Sequence, residues 1–218
     1  IADEHCNTGE NPFWHPLERK LYWTDIPNGK LYRYDPASNS HECCYEGRVV
    51  GGFTLQPDGS LLLFRDKGNV VVWHEGEVRR TIIEAIPDHA DTRFNDVIAD
   101  AQGAVFCGSM SSQSRAGRLH RLNRDGTVDD LLDEQGTPNG MGYSNDLRTM
   151  YYSDSGKACT WAMAYDPDTS GLGSPQMWRD ANANNDPGRP DGLTVDAEGY
   201  IWTARWDGAA VLRFDPSG

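Results

Sequence analysis

Four oxygen-bearing side chains recur at one phase of this 218-residue sequence. Glu10 precedes Tyr22 by 12 positions, Asn95 precedes Phe106 by 11, Asn139 precedes Tyr151 by 12 and Asp191 precedes Trp202 by 11. Taken singly they are ordinary. Asn139-Gly140 and Asp191-Gly192 are turn dipeptides, and Glu10 is a solvated surface charge. The shared phase makes them a set, because equivalent positions of a repeat can meet at one point. Two carboxylates and two amide carbonyls gathered there would repel one another and lose water, so a cation is the compensation to expect. Oxygen donors without Cys or paired His favour a hard divalent ion, calcium first, then manganese or magnesium, with zinc and iron still compatible with the ligand types. Arg93, two residues before Asn95, is either a surface cation or a planar fork for substrate oxygens.

The elements that must position these residues are short strands. Twenty-three glycines, 12 prolines and 22 aromatics are spread along the chain, and no window sustains the apolar i, i+3, i+4, i+7 spacing of an amphipathic helix. β-rich runs occupy residues 20–24, 60–64, 70–73, 104–107, 150–153 and 200–203. Their centres Tyr22, Leu62, Phe106, Tyr151 and Trp202 are separated by 40, 44, 45 and 51 residues. Each is preceded by a turn such as Asp58-Gly59 and most are followed by a strand ending near Asp-Pro, as at Asp35-Pro36, Asp166-Pro167 and Asp215-Pro216. A period of about 40 to 50 residues with several strands per unit is the signature of a β-propeller, whose first strands line a central channel. The expectation is an all-β fold, one propeller domain over residues 1–218 with about five blades.

Composition narrows the function classes. The chain has 33 acidic and 20 basic side chains, a formal charge of −13, which argues against nucleic acid as a partner, since backbone binding needs clustered Lys and Arg. No apolar run approaches the roughly 18 residues of a membrane span, and the first residues do not resemble a signal peptide. Five cysteines, an odd count including the adjacent Cys43 and Cys44, point to reduced thiols and a cytoplasmic setting. Nothing specifies an oligomeric state. The histidines His5, His15, His41, His74, His89 and His120 show no metal-ligand spacing and read as surface or turn residues. Gly140-Met141-Gly142 and Gly171-Leu172-Gly173 read as turns rather than dinucleotide loops, and Trp23, Trp73 and Trp202 as packing between blades.

Gly9-Glu10-Asn11-Pro12-Phe13-Trp14, Arg93-Phe94-Asn95-Asp96, Pro138-Asn139-Gly140, Tyr152-Ser153-Asp154-Ser155 and Pro190-Asp191-Gly192-Leu193-Thr194-Val195-Asp196 form a set. As a set they resemble the senescence-marker-protein, gluconolactonase and luciferin-regenerating-enzyme-like family, the regucalcin-like proteins. The resemblance implies a six-bladed propeller, one divalent metal in its channel and hydrolysis of sugar lactones to the open-chain acid. It makes Glu10, Asn139 and Asp191 metal ligands, and Arg93 and Asn95 substrate-binding residues. The chain ends at Gly218 on an Asp-Pro-Ser-Gly turn, so the last blade is expected to be missing, leaving unpaired strand edges in a fragment or shortened variant.

For such an enzyme the metal would polarise the lactone carbonyl and Asp191 would assist the attacking water. Polar segments 85–92, 109–117 and 179–189 are candidates to rim the channel mouth, or plain loops. Two rivals remain open: a non-catalytic propeller that binds calcium or another protein, and a hydrolase of organophosphate or other esters on the same metal.

Overall fold

A computed structural model of the chain describes residues 2–218. Twenty strands and a single 3-10 turn, Pro87–His89, make up its regular structure among the described residues. The chain divides into two compact units, one reaching Phe94 and the other Asn95–Gly218.

The first unit holds two antiparallel sheets, each a meander in chain order. One contains β1 (Gly9–His15), β2 (Lys20–Asp25), β3 (Lys30–Asp35) and β4 (Ser40–Glu46); the other contains β5 (Val50–Leu55), β6 (Leu61–Arg65), β7 (Val70–His74) and β8 (Glu77–Ile83). The second unit carries three such sheets. The third blade is β9 (Phe94–Ala99), β10 (Val105–Ser109), β11 (Gly117–Leu122) and β12 (Val128–Gln135). The fourth is β13 (Pro138–Tyr143), β14 (Thr149–Asp154) and β15 (Cys159–Asp166), with β16 (Gly171–Leu172) and β17 (Gln176–Asp180) both pairing with β15. The fifth has three strands, β18 (Arg189–Val195), β19 (Ile201–Trp206) and β20 (Ala210–Phe214). These five meanders are propeller blades, and the fold is all-β as the period implies. Tyr22, Leu62, Phe106, Tyr151 and Trp202 each lie on the second strand of a blade.

Burial explains the amino-acid usage. The second strands β6, β10 and β14 are covered on both faces and read as nearly unbroken apolar runs. The outer strand β8 is exposed over most of its length and carries Glu77, Arg79 and Arg80, which discourage edge pairing. In the first unit Tyr22, Leu31, Phe53, Leu63 and Trp73 form one core; in the second, Phe106, Leu119, Met150, Tyr152 and Met163 form another. In the second blade an Asp-Gly turn joins the first and second strands. At Asp58 the carboxylate accepts the Ser60 amide at 3.0 Å, and Gly59 takes φ +86°, which a side chain would resist.

Several sequence expectations change. His15, His89 and His120 are buried rather than superficial. His15 Nε2 faces the Gly59 carbonyl at 3.0 Å while its Nδ1 accepts the Glu18 amide at 3.1 Å, so both ring nitrogens are satisfied inside. Gly140-Met141-Gly142 lies within β13, and Gly171-Leu172 forms β16, so neither is simply a turn. Trp73 is core, but Trp202 is 37% exposed and donates its Nε1–H to Asp196 at 2.8 Å. All five cysteines are free.

In two blades the last residue of the second strand anchors the inner strand. In the first blade, buried Asp25 Oδ1 accepts the Asn7 and Thr8 amides, both at 3.1 Å. In the fourth, buried Asp154 accepts the Gly136 and Thr137 amides, both at 2.8 Å. Glu10 and Asn139 follow two residues after the anchored amides. Asp154→Ala strands the Gly136, Thr137 and Lys157 amides, and urea unfolding should show a loss of about 2–4 kcal/mol; a change below about 0.5 kcal/mol, the level of an ordinary surface substitution, would contradict the anchor.

Candidate functional site

Each predicted site residue sits near the start of an inner strand, and three of these strands are irregular there. Register shifts fall between Glu10 and Phe13 in β1, Pro138 and Met141 in β13, and Pro190 and Leu193 in β18. A bulge re-aims side chains out of the strict alternation of a strand, and such devices concentrate beside active sites. In β1 the irregularity places Asn11 at φ 55°, with its Oδ1 accepting the Phe53 amide at 3.0 Å. Asn139 and Asp191 therefore belong to strands, not turns, and each is only 8% exposed.

In the second unit, Asn139 and Asp191 touch. The Asn139 amide donates to Asp191 Oδ1 and, at 3.1 Å, to Ser155 Oγ. Ser155 in turn donates to the Pro190 carbonyl at 2.6 Å, tying the end of the fourth blade's second strand to the residue before Asp191. Gly140 makes the approach possible. A Cβ there would stand 2.3 Å from the Asp191 carbonyl oxygen and 2.4 Å from the Leu193 nitrogen, so β13 can lie against β18 only with glycine at this point. Nothing lies within 4 Å of a Cβ built on Gly192, so the chain beside Asp191 borders open space.

Asn95 joins the same neighbourhood by donating Nδ2–H to the Pro138 carbonyl at 2.9 Å, one residue before Asn139. The next residue, Asp96, carries a signal that sequence reasoning missed. Loss of hydration pushes its carboxyl up to about 6, with the charge of Asp191 adding to the rise and the Val97 amide opposing it. Asp191 is also pushed above the ordinary carboxylate range by burial, against the pull of the Asn139 and Gly192 hydrogen bonds. Ser155 was the other missed residue. Its motif was visible in the sequence, but its role as the strut between Asn139 and Pro190 needed the fold.

In the first unit, Glu10 pairs with Thr24 across β1 and β2. Arg93 forms an isolated bridge with Asp66 and donates Nη1–H to the Phe94 carbonyl at 2.9 Å. Burial pushes the Arg93 pKa down and the charge of Glu10 raises it, so these two predicted residues share an electrostatic neighbourhood.

The donors suit a hard cation. Among the described residues no Lys, Arg or His forms an ion pair with Asp191, so this buried carboxylate has no cationic side chain to hold its charge. No group of three or more His, Cys, Asp or Glu is gathered among the described residues; carboxylate and amide oxygens are what the inner strands offer. Among the described residues no helix is long and apolar enough to cross a membrane.

Comparison with known proteins identifies the family. The sequence profile of the SMP-30/gluconolactonase/LRE-like region matches residues 8–218. A pentonolactonase of Haloferax volcanii is 44% identical over 218 residues, covering 100% of this chain and 73% of the relative. A 6-deoxy-6-sulfogluconolactonase of Pseudomonas putida is 29% identical, covering 96% of this chain and 72% of the relative. The crystal structure of a calcium-binding protein, regucalcin, from Agrobacterium tumefaciens superposes with a TM-score of 0.86 at 26% identity, covering 96% of this chain and 71% of that one. The profile match over nearly the whole chain and the likeness of the folds lead to one conclusion: this chain belongs to the SMP-30/gluconolactonase/LRE-like family.

Proposed function

We propose that the protein hydrolyses a sugar lactone to its open-chain acid, with Asp191 as the general base. The observation that carries this reading is the buried Asn139–Asp191 pair in a chain whose relatives include named lactonases. Asp191 and Asn139 are the residues to hold a divalent cation, calcium being the first candidate, and Glu10, at the equivalent position of β1, is the further donor that the repeat offers. Such a cation supplies Lewis acidity toward an ester carbonyl.

The chain's own residues account for the proton and the orientation. One Asp191 carboxylate oxygen would hold the cation, and the other would take a proton from water as the water oxygen adds to the lactone carbonyl. Collapse breaks the ring C–O bond, and the departing alkoxide takes up a proton to become the hydroxyl of the acid. Without a cation, burial holds the Asp191 carboxyl above the ordinary carboxylate range, and Asn139 and Ser155 restrict its orientation. Arg93 and Asn95 are assigned to the hydroxyl and carbonyl oxygens of the sugar.

Acid release from pentono- and gluconolactones, followed in a pH-stat, should fall to background with chelator and return with calcium. Asp191→Asn should lower kcat by about 10²–10⁴-fold. A rate indifferent to both treatments removes the proposal, and faster cleavage of a phosphate triester than of any lactone would transfer it to that substrate class. Because Asp191 must be ionised to act, kcat/KM should fall on the acid side, and that limb should be absent from any residual Asp191→Asn activity.

Asp96 gives a separate pH signature in chelator-treated protein. Its folded pKa of about 6 exceeds the ordinary 3.8, so between those values the folded state binds more protons than the unfolded. Stability should therefore fall as pH rises through that window, and urea titrations of Asp96→Asn should lack that part of the slope.

A further inference from the structure

The third blade departs from its neighbours at the end that carries Asn95. In an antiparallel meander, the connection between second and third strands lies at the same end as the start of the first strand. That connection spans residues 26–29, 66–69, 155–158 and 207–209 in four blades but residues 110–116 in the third. The residue that closes the second strand varies as well: β2 and β14 end in Asp25 and Asp154, β6 in Arg65, β19 in Trp206 and β10 in Ser109.

Ser109 belongs to a chain of four side chains. Arg115 Nη2 donates to Ser109 Oγ at 2.6 Å, Ser109 Oγ lies 2.9 Å from His120 Nε2, and His120 Nδ1 lies 2.6 Å from Asp130 Oδ1. The direction of every bond follows from chemistry. A guanidinium only donates and a carboxylate only accepts, so His120 carries its proton on Nδ1 and Ser109 donates to Nε2. Burial lowers the His120 pKa, which agrees with the neutral ring this arrangement requires. Ser, His and Asp in this order resemble an acyl-transfer triad. Ser109 is nonetheless fully buried and its oxygen accepts from Arg115, so no substrate carbonyl reaches it. The chain instead runs from a carboxylate on β12 to an arginine in the long loop. That loop also touches the site's framework: the Ser111 amide donates to the Gly136 carbonyl at 3.3 Å, and Gly136 is held by Asp154 three residues before Asn139.

We propose that Asp130, His120 and Ser109 are positioning residues that hold Arg115, and with it the 110–116 loop, so that the loop contributes to binding the lactone. This rests on the lactonase reading above. The relay is specific to one blade, which suits a part that tunes substrate affinity rather than one that builds the repeat.

Ser109→Ala and Asp130→Ala should each raise KM roughly tenfold, the usual worth of a hydrogen bond involving a charged partner. The kcat should change by less than about twofold, since bonding at the reacting atoms is untouched. Asp130 is half exposed, so its replacement tests the relay without opening the core. Asp130→Asn keeps an acceptor for His120 Nδ1–H and should recover most of the affinity, a rescue that a general loss of packing would not show. Trypsin cleavage after Arg115 should be faster in both alanine variants. Unchanged KM in both alanine variants overturns the proposal, as does an equal loss in Asp130→Asn and Asp130→Ala. If the unaltered protein hydrolyses no aldonolactone, it is the lactonase reading that fails. The anchoring is then judged by trypsin alone: faster cleavage supports it and equal rates overturn it.

Discussion

Burial of the Asp191 carboxylate against Asn139 is the constraint to which the rest of the second unit answers. A carboxylate removed from water raises the free energy of its ionised form unless partners replace the lost hydration. Here the replacements are two amide donors, Asn139 and the Gly192 backbone, and they leave the pKa still elevated. That incomplete compensation is the feature on which the proposed base and cation-holding roles of Asp191 rest. Everything that brings β13 against β18 serves this pairing, from the bare Cα of Gly140 to the Ser155 strut.

The blade repeat supplies the precision. Asp25 and Asp154 perform the same task in different blades, gripping backbone amides just ahead of the inner strand so that Glu10 and Asn139 leave their anchors at the same distance. The register shifts then turn the side chains that follow. The third blade has Ser109 at that position, hydrogen-bonded to Arg115 of a longer loop and to His120. A repeated scaffold can thus keep its core while one blade carries a longer connection, because packing between strands depends on the buried faces and not on the connection at the end.

Much of this was legible before any coordinates. The period of Tyr22, Leu62, Phe106, Tyr151 and Trp202 located the second strand of every blade, since a strand covered on both faces must be apolar wherever it recurs. The common phase of Glu10, Asn95, Asn139 and Asp191 placed all four at the starts of inner strands. Legibility failed where partners are distant in sequence. His120 looked superficial because its acceptor and donor lie on neighbouring strands, and Gly140 looked like a turn because its crowding comes from β18. Trp202 looked like packing, yet much of its ring faces outward.

The sequence by itself determined the all-β repeat, the number of blades and the chemical types offered at one phase, because these depend on local periodicity and on which residues tolerate burial. Only the tertiary structure decided that Asn139 bonds Asp191, that Ser155 braces the pair and that Asp96 feels its charge. Those facts depend on distances between residues far apart along the chain and on how much water each carboxylate has lost, and neither quantity exists until the strands are packed.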